Sequence, residues 1–520
     1  MAIGLPPVDV YLSSKFVAYA VPSAAREIKL QLGTAELRVL NVRLLSPTEV
    51  RAAIAGTGTL AAAADALADA YEAAGWRNIL VVPVDQPGPL VLVVHEAGLS
   101  AVNGYGPLQH YFDGFVGPKP IRYSAFAIAA QMADLHSARI GAAANALYVR
   151  STAEPEQLTM KIDGEPAKAA RFDYQLRLSN EGNRFVGRWF GGVGASLTGP
   201  SSARIGLNYD RVLPELGDAR GTPQYNGYTA YVDKVTRHGL VKVLVSDARY
   251  RYRGIGADNV ALEVAADDPE LKASNLHVGL QGERFIYVSR RWRWSLGAGA
   301  AWNAYRIDQV GTEAFASERY AAVHGTVGIK WALPDNSLRP QAFLDGLVRQ
   351  SIDDSFRNTG ASSDFRVVSA SAGLSVSPFG FGRLALRYEG LWTGDALPQS
   401  EQWVLGGFDR LSAWLPGVAV GDRGTLARFS YQIPVFGNRR HDLNAAVTVE
   451  RGTSEFVGRP EKLASTLSSA GLGLNYRYGR NWRLEGRIGQ ALQSDAPAEF
   501  AIKQQEARFY LRASRSFDAD

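Results

Sequence analysis

Cysteine is absent from the 520 residues. Disulfides, thiolate nucleophiles and cysteine metal sites therefore drop out together; the absence fits an envelope protein that crosses an oxidising periplasm, and many cytosolic proteins share it. No run of about 18 apolar residues occurs, which excludes a transmembrane helix. It does not exclude a transmembrane β-barrel, whose strands alternate lipid-facing and lumen-facing residues and look soluble on average. The seven histidines form no H-E-x-x-H pattern and no close pair, so no metal site is expected. Neither a G-x-S-x-G sequence nor a P-loop is present, and the chain reads as a non-enzyme without cofactor. Its net charge of +5 is too mild to mark a nucleic-acid partner. The opening "MAIGLPPVDVYLSSKF" lacks the basic and apolar regions of a signal peptide.

What is plentiful points to the barrel. Glycine reaches 53 residues and aromatics 10%, and the sequence uses two grammars. Residues 31–165 read as two α/β units. The first runs from an alternating strand, "AELRVLNVRLL", into "SPTEVRAAI". There Ser46 can cap, Pro47 takes the first helical turn and Glu49 completes a capping box. An Ala-rich helix over 59–76 ends at Gly75, and strands follow at 78–83 and 89–95, giving the order β-α-α-β-β. A second unit repeats this loosely, with a helix over 124–138 followed by "ALYVRSTA" and "EQLTMKIDG".

From about residue 170 only strands follow. "FDYQLRLS" sets Phe172, Tyr174, Leu176 and Leu178 on one face, with Asp173, Gln175, Arg177 and Ser179 on the other. "RLALRYE" and "WRLEGRI" alternate in the same way. About sixteen such segments occur, many near the ten residues needed to cross a bilayer obliquely. A soluble sandwich also alternates, but its strands run about five or six residues. Here they are longer, and the polar face is dense with Arg and Glu. Aromatics such as those in "RRWRWSLGAGAAW" suit a membrane-interface girdle better than nucleic-acid stacking.

These residues resemble the two-partner-secretion transporters, the TpsB family of the BamA-like superfamily. The similarity rests on "YEAAGWRNILVVPVDQPGPLVLVVHE" (71–96) and "ADLHSARIGAAANALYVRSTAEPEQLTMKI" (133–162). "LRLSNEGNRFVGRW" (176–189), "LPQSEQWVLGG" (397–407), "GDRG" (421–424) and the C-terminal "ARFYLRASRSF" carry it through the rest of the chain. The resemblance implies a mainly β chain in which two periplasmic POTRA domains precede a 16-stranded antiparallel transmembrane barrel. The expected divisions are 1–30 for an N-terminal segment, 31–97 for the first POTRA domain, 98–167 for the second and 168–520 for the barrel. The N-terminal segment is a candidate plug helix, but "VDVYLSSKFVAYAVPSAAREI" is short and reads better as extended or poorly ordered.

In the resembled family the sixth extracellular loop folds into the barrel. Its Val-Arg-Gly-aromatic tip meets an aspartate on the inner wall. Counting back from Gly421, the tip falls on Leu411, Ser412, Ala413 and Trp414, so the aromatic is kept and serine replaces the arginine. The wall strand "LNAAVTVERG" places Glu450 at the aspartate position, and alternation also turns Glu450 to the lumen. Serine cannot reproduce a bidentate arginine–carboxylate contact. Two accounts stay open: Arg410 reaches Glu450 instead, or Trp414, Leu411 and Leu415 anchor the loop by packing alone. Asp422, Arg423 and Gly424 are expected to close the loop base.

Arg477, Arg483, Arg487, Arg508 and Arg512 form a lumenal basic wall on the last strands. It suits either acidic cargo or a structural network with Glu485 and Glu506. Phe517 is the expected insertion signal, although Asp518, Ala519 and Asp520 trail it. Asp353 and Asp354 read as a solvated turn before they read as a calcium site. The functional expectation is a monomeric transporter in the outer membrane of a Gram-negative bacterium, with its POTRA domains in the periplasm. It would export a secreted partner protein without nucleotide hydrolysis, in contact with outer-membrane lipid and, during biogenesis, with the barrel-assembly machinery. The rival is a barrel repurposed as an anchor or assembly scaffold for an extracellular structure; a general porin stands third, since porins lack POTRA domains.

Overall fold

The computed structural model describes residues 5–6, 8–10, 26–84, 89–150, 158–164, 171–182, 186–216, 224–253, 270–309, 314–333, 336–357, 359–378, 381–458, 464–479, 481–495, 506–507 and 509–519. Most of the N-terminal segment, including the candidate plug helix, lies outside them.

Period-2 alternation closes on itself. Sixteen antiparallel strands form one barrel, from Arg171–Ser179 to Phe509–Ala519. The seam sets Tyr174 opposite Phe517 and Ser179 opposite Arg512. Closure removes every sheet edge, which a spanning sheet must do because lipid offers no hydrogen-bond partners. Leu207, Val243, Leu280, Leu386, Leu472 and Ile488 stand exposed on the outer face, where lipid tails would cover them. The residues next to them in sequence face inward and are polar, small or charged, as with Asn208, Gln281, Gly473, Arg387 and Arg487. The strands Glu270–Val288 and Ala314–Ala332 each have 19 residues, about twice what a bilayer crossing needs, so this side of the barrel projects past the apolar band.

The two ends differ. At one end the turns are short: Arg237 and His238 alone separate Gln224–Thr236 from Gly239–Arg253. At the other the connections are long, the longest running from Trp392 to Arg423.

Both N-terminal units sit at the short-turn end. The first is a sheet in the order Val8–Val10, Ile79–Val84, Leu90–Glu96, Ala35–Leu40, Glu27–Leu32. Helices Pro47–Ile54 and Leu60–Ala73 bury Val50, Leu67 and Tyr71 against Leu37, Ile79 and Leu92. The capping box forms as the residues dictate: Glu49 N donates to Ser46 Oγ at 3.2 Å and Ser46 N to Glu49 Oε2 at 2.7 Å. The order β-α-α-β-β is present with two strands added. Val8–Val10 lies parallel to Ile79–Val84, and Glu27–Leu32 straddles the division expected at residue 30.

The second unit is a three-stranded sheet in the order Leu99–Gly104, Leu158–Gly164, Ala144–Arg150. One long helix, Tyr123–Ile140, covers it, and a four-residue turn of helix, Gly106–Gln109, stands where the first unit has a full helix. That long helix docks on the barrel. His136 Nε2 lies 2.9 Å from the Pro200 carbonyl, and Arg139 pairs with Asp233, which also holds Arg204 at 2.7 Å.

Candidate functional site: the loop inside the barrel

The connection between Arg383–Trp392 and Arg423–Gly437 turns back into the lumen as a hairpin. Trp403–Leu405 pairs antiparallel with Ala419–Gly421, and its far end reverses through residues of positive φ. Gly406 and Gly407 have φ of 96° and 99°, and Leu411 has φ of 59°. Glycine adopts this region freely; a leucine there is an outlier that its surroundings must hold. They do. Leu411, Ser412, Ala413 and Trp414 are each no more than 2% exposed. Trp414 and Leu411 pack with Leu405, Val418 and the wall residues Leu426 and Leu467. Trp414 N donates to Leu411 O at 3.0 Å, and Ala507 N to Ala413 O at 2.7 Å. The Tyr510 hydroxyl donates to Trp414 O.

The wall makes room for the tip. A Cβ on Gly489 would lie 2.3 Å from Ser412 O, one on Gly471 2.9 Å from Ser412 Oγ, and one on Gly452 3.1 Å from Leu411. Three lumen-facing glycines on adjacent strands thus form a shallow seat.

At this seat the tip meets Glu450, itself 1% exposed. One carboxylate oxygen accepts from Ser412 N at 2.7 Å, Ser412 Oγ at 2.8 Å and Ser469 Oγ at 3.0 Å. The other accepts from Arg428 Nε at 2.7 Å. Arg428 stands directly opposite Glu450 on the adjoining strand, and it also donates to Asp409 O of the loop. The cation that neutralises the buried carboxylate therefore comes from the wall. Both expected accounts need correction. Arg410 does not reach Glu450: it donates to Val404 O and pairs with Glu389, both at 3.1 Å, and lies over the Trp403 ring. Packing does not act alone either, because Ser412 uses both its N–H and its hydroxyl.

Phe408, on the hairpin, is held between two guanidiniums. Arg487 and Arg512 each lie 4.5 Å from its ring centroid, and Arg487 also donates to Phe408 O. Arg512 pairs with Glu181 at 2.6 Å, Asp409 at 3.0 Å and Glu485 at 3.3 Å. These two lumenal arginines belong to a network that grips the loop. Arg477 instead pairs with Asp442 in an exposed position, Arg483 is exposed, and Arg508 lies outside the described residues.

At the base, buried Asp422 accepts from Leu397 N and Val457 N, both at 2.9 Å. Arg423 pairs with Glu455 at the surface, and Gly424 leaves space for Trp403. The opposite wall supplies a second anchor that sequence reasoning missed. Glu401 binds Arg349 at 2.6 Å and the Tyr320 hydroxyl at 2.8 Å, and Gln399 N donates to Glu318 at 3.0 Å. Phe517 lies on the closing strand with Arg515 above its ring; the strand continues through Asp518 and Ala519, which pair with Asp173 and Phe172. Asp353 and Asp354 lie within the strand Gln341–Arg357, not in the expected turn; Asp354 accepts from Asp364 N at 2.8 Å, and no cluster of metal-ligating side chains occurs among the described residues.

No family model matches the sequence, and no curated protein does. Solved structures do. CdiB from Escherichia coli aligns with a TM-score of 0.76 at 15% identity, over 99% of this chain and 94% of that one. CdiB from Acinetobacter baumannii aligns with a TM-score of 0.65 at 14% identity, over 100% and 95% respectively. The fold implied by the sequence resemblance, a closed barrel preceded by an α/β region, is the fold observed, and the chain shares it along its whole length with the two CdiB structures.

Proposed function

We propose that the protein is an outer-membrane transporter that exports a secreted partner protein from the periplasm to the cell surface, in the manner of two-partner-secretion transporters. The end bearing the α/β units faces the periplasm, where those units act as POTRA domains. One observation carries the reading: a hairpin rooted in the loop end is seated on the barrel's inner wall, and the unit docked at the other end has an open strand edge. Among the described residues no strand pairs with the outer edge of Ala144–Arg150, and Leu147 and Val149 beside it are more than half exposed. An extended chain can add to such an edge through main-chain hydrogen bonds, with apolar side chains alongside. The drive is folding of the cargo outside the cell, so no nucleotide is consumed.

The test is secretion of the product of a neighbouring gene. Loss of this gene should keep that product out of the medium, and complementation should restore it. Leu147→Asp with Val149→Asp should remove export while the barrel still assembles. A second reading, a scaffold for an extracellular structure, is favoured by how firmly the loop is held at both tip and base. Normal secretion without the gene, together with loss of a surface structure, would establish that reading instead.

A further inference from the structure

A cavity of about 1100 Å³ opens between the docked helix Tyr123–Ile140 and the barrel's inner wall. Tyr123, Gln131 and Leu5 close it on one side. The wall side carries Arg291, Arg293, Lys330 and Arg383, with Asp345 the one carboxylate among its described lining residues. Three further arginines line it: Arg290 at the turn, and two that are already engaged, Arg387 by Glu389 and Arg428 by Glu450. The first four form no ion pair among the described residues. Arg383 is held by the neutral partners Gln341 and Ser375 at 3.0 and 2.7 Å. Arg293 stands opposite Lys330 in the ladder, a pairing of like charges that disfavours the sheet unless an anion comes between them. A partly enclosed cavity with low-dielectric walls concentrates such a field.

We infer that this cavity is a receiving site for an acidic, extended segment of the exported polypeptide. This deepens the transporter reading and rests on it. Shape decides between a chain and a compact anion. From the strand of Arg293 to that of Arg383 there are four ladder steps, about 19 Å at roughly 4.8 Å each. A phosphate ion cannot bridge that span, whereas about six extended residues cover it. Aspartates or glutamates along such a segment meet Arg293, Lys330 and Arg383 in turn. The floor between them is small and polar, with Ser371, Gly373 and Ser375. The segment would lie just inside the mouth, below the seat of the hairpin.

The test uses the full chain in detergent and a labelled oligo-glutamate of about 12 residues, long enough to cross the site. The glutamate peptide should bind, more weakly as salt rises, and an oligo-lysine of equal length should not. The triple variant Arg291→Gln, Arg293→Gln, Lys330→Gln should lose about tenfold or more in affinity. Arg249→Gln, an exposed arginine elsewhere on the barrel, should bind as the unaltered protein does; it also shows that loss in the triple variant is local. Equal binding by the triple variant, equal binding of oligo-lysine, or displacement by inorganic phosphate at the same concentration would each overturn the assignment. In cells, undiminished export of the partner by the triple variant would overturn it as a cargo site. If the unaltered protein exports nothing while peptide binding still follows charge, the transport reading falls and the acidic-ligand class stands.

Discussion

Ser412 meets Glu450 twice, through its backbone N–H at 2.7 Å and its hydroxyl at 2.8 Å, on the same carboxylate oxygen. The second oxygen is left to Arg428. Tip and wall thus play separate parts, the tip supplying short donors and the wall the cation. Unequal costs follow. Ser412→Ala removes one donor to an ionised carboxylate and keeps the N–H, so it should loosen the loop by about 1.5–3 kcal/mol. Arg428→Gln strands a buried carboxylate and should cost about 3–5 kcal/mol. Single-channel conductance and antibiotic uptake would rank Arg428→Gln above Ser412→Ala. A double-mutant cycle should couple Arg428 with Glu450 by more than about 0.5 kcal/mol and leave Arg410 with Glu450 uncoupled.

Trp414 is the largest fully buried side chain of the described residues. Its carbonyl accepts from Gly407 N at 2.8 Å and from the Tyr510 hydroxyl. Trp414→Ala should cost about 3–5 kcal/mol through the cavity it leaves, and it should raise the frequency of open-channel events. Trp414→Phe keeps most of the packing and should behave much like the original. Equal conductance for both variants would mean that the base anchors alone hold the loop.

The wall glycines allow a test that leaves the loop sequence untouched. A methyl on Gly489 would sit 2.3 Å from Ser412 O and 2.7 Å from Ala413 Cα. Backbone is the obstacle in both cases, so the tip must move. Gly489→Ala should reproduce the open-channel phenotype of Trp414→Ala. Gly486, in the same strand, has open space around it, and Gly486→Ala should change nothing. A silent Gly489→Ala would show that the hairpin does not occupy its seat in the membrane.

How much of this was legible follows from the range of each interaction. Period-2 alternation is written residue by residue, so the barrel, its inward charges and the lumenal face of Glu450 could be read directly. The capping box of Ser46 and Glu49 is equally local. The strand Val8–Val10 could not be read, because its three residues are too few to show a period and it is held by a parallel partner some 70 residues away. Arg428 was readable in principle. Aligning "RGTLARFSYQ" against "LNAAVTVERG" sets it opposite Glu450, but the family pattern drew attention to the tip and away from cross-strand register. The pairing of Glu401 with Arg349 joins a loop to a distant strand, and no spacing rule encodes it.

The last prediction concerns the joint between the second α/β unit and the barrel, where His136 lies buried. The Pro200 carbonyl can only accept, so Nε2 carries the hydrogen; Nδ1 of the neutral ring then takes the Tyr111 hydroxyl at 3.0 Å. Burial pushes the His136 pKa below its ordinary 6.5, with His110, Lys234 and Arg139 adding positive charge nearby and the Pro200 carbonyl opposing them. When the unit lifts off, the ring returns to water and to its ordinary value. The undocked state therefore binds the proton more readily than the docked one. Docking is fully supported above the ordinary value of 6.5 and weakens as pH falls from there towards the lowered one. Hydrogen exchange in the helix Tyr123–Ile140 should be slow at about pH 7.5 and, once corrected for intrinsic exchange rates, faster at about pH 5. His136→Gln should keep a donor for Pro200 and lose this pH dependence. The Arg139–Asp233 pair lies at the same joint, but arginine does not titrate in this range, so Arg139→Gln should weaken docking at both pH values. An unchanged pH profile in His136→Gln would transfer the effect to His110, whose pKa burial also lowers.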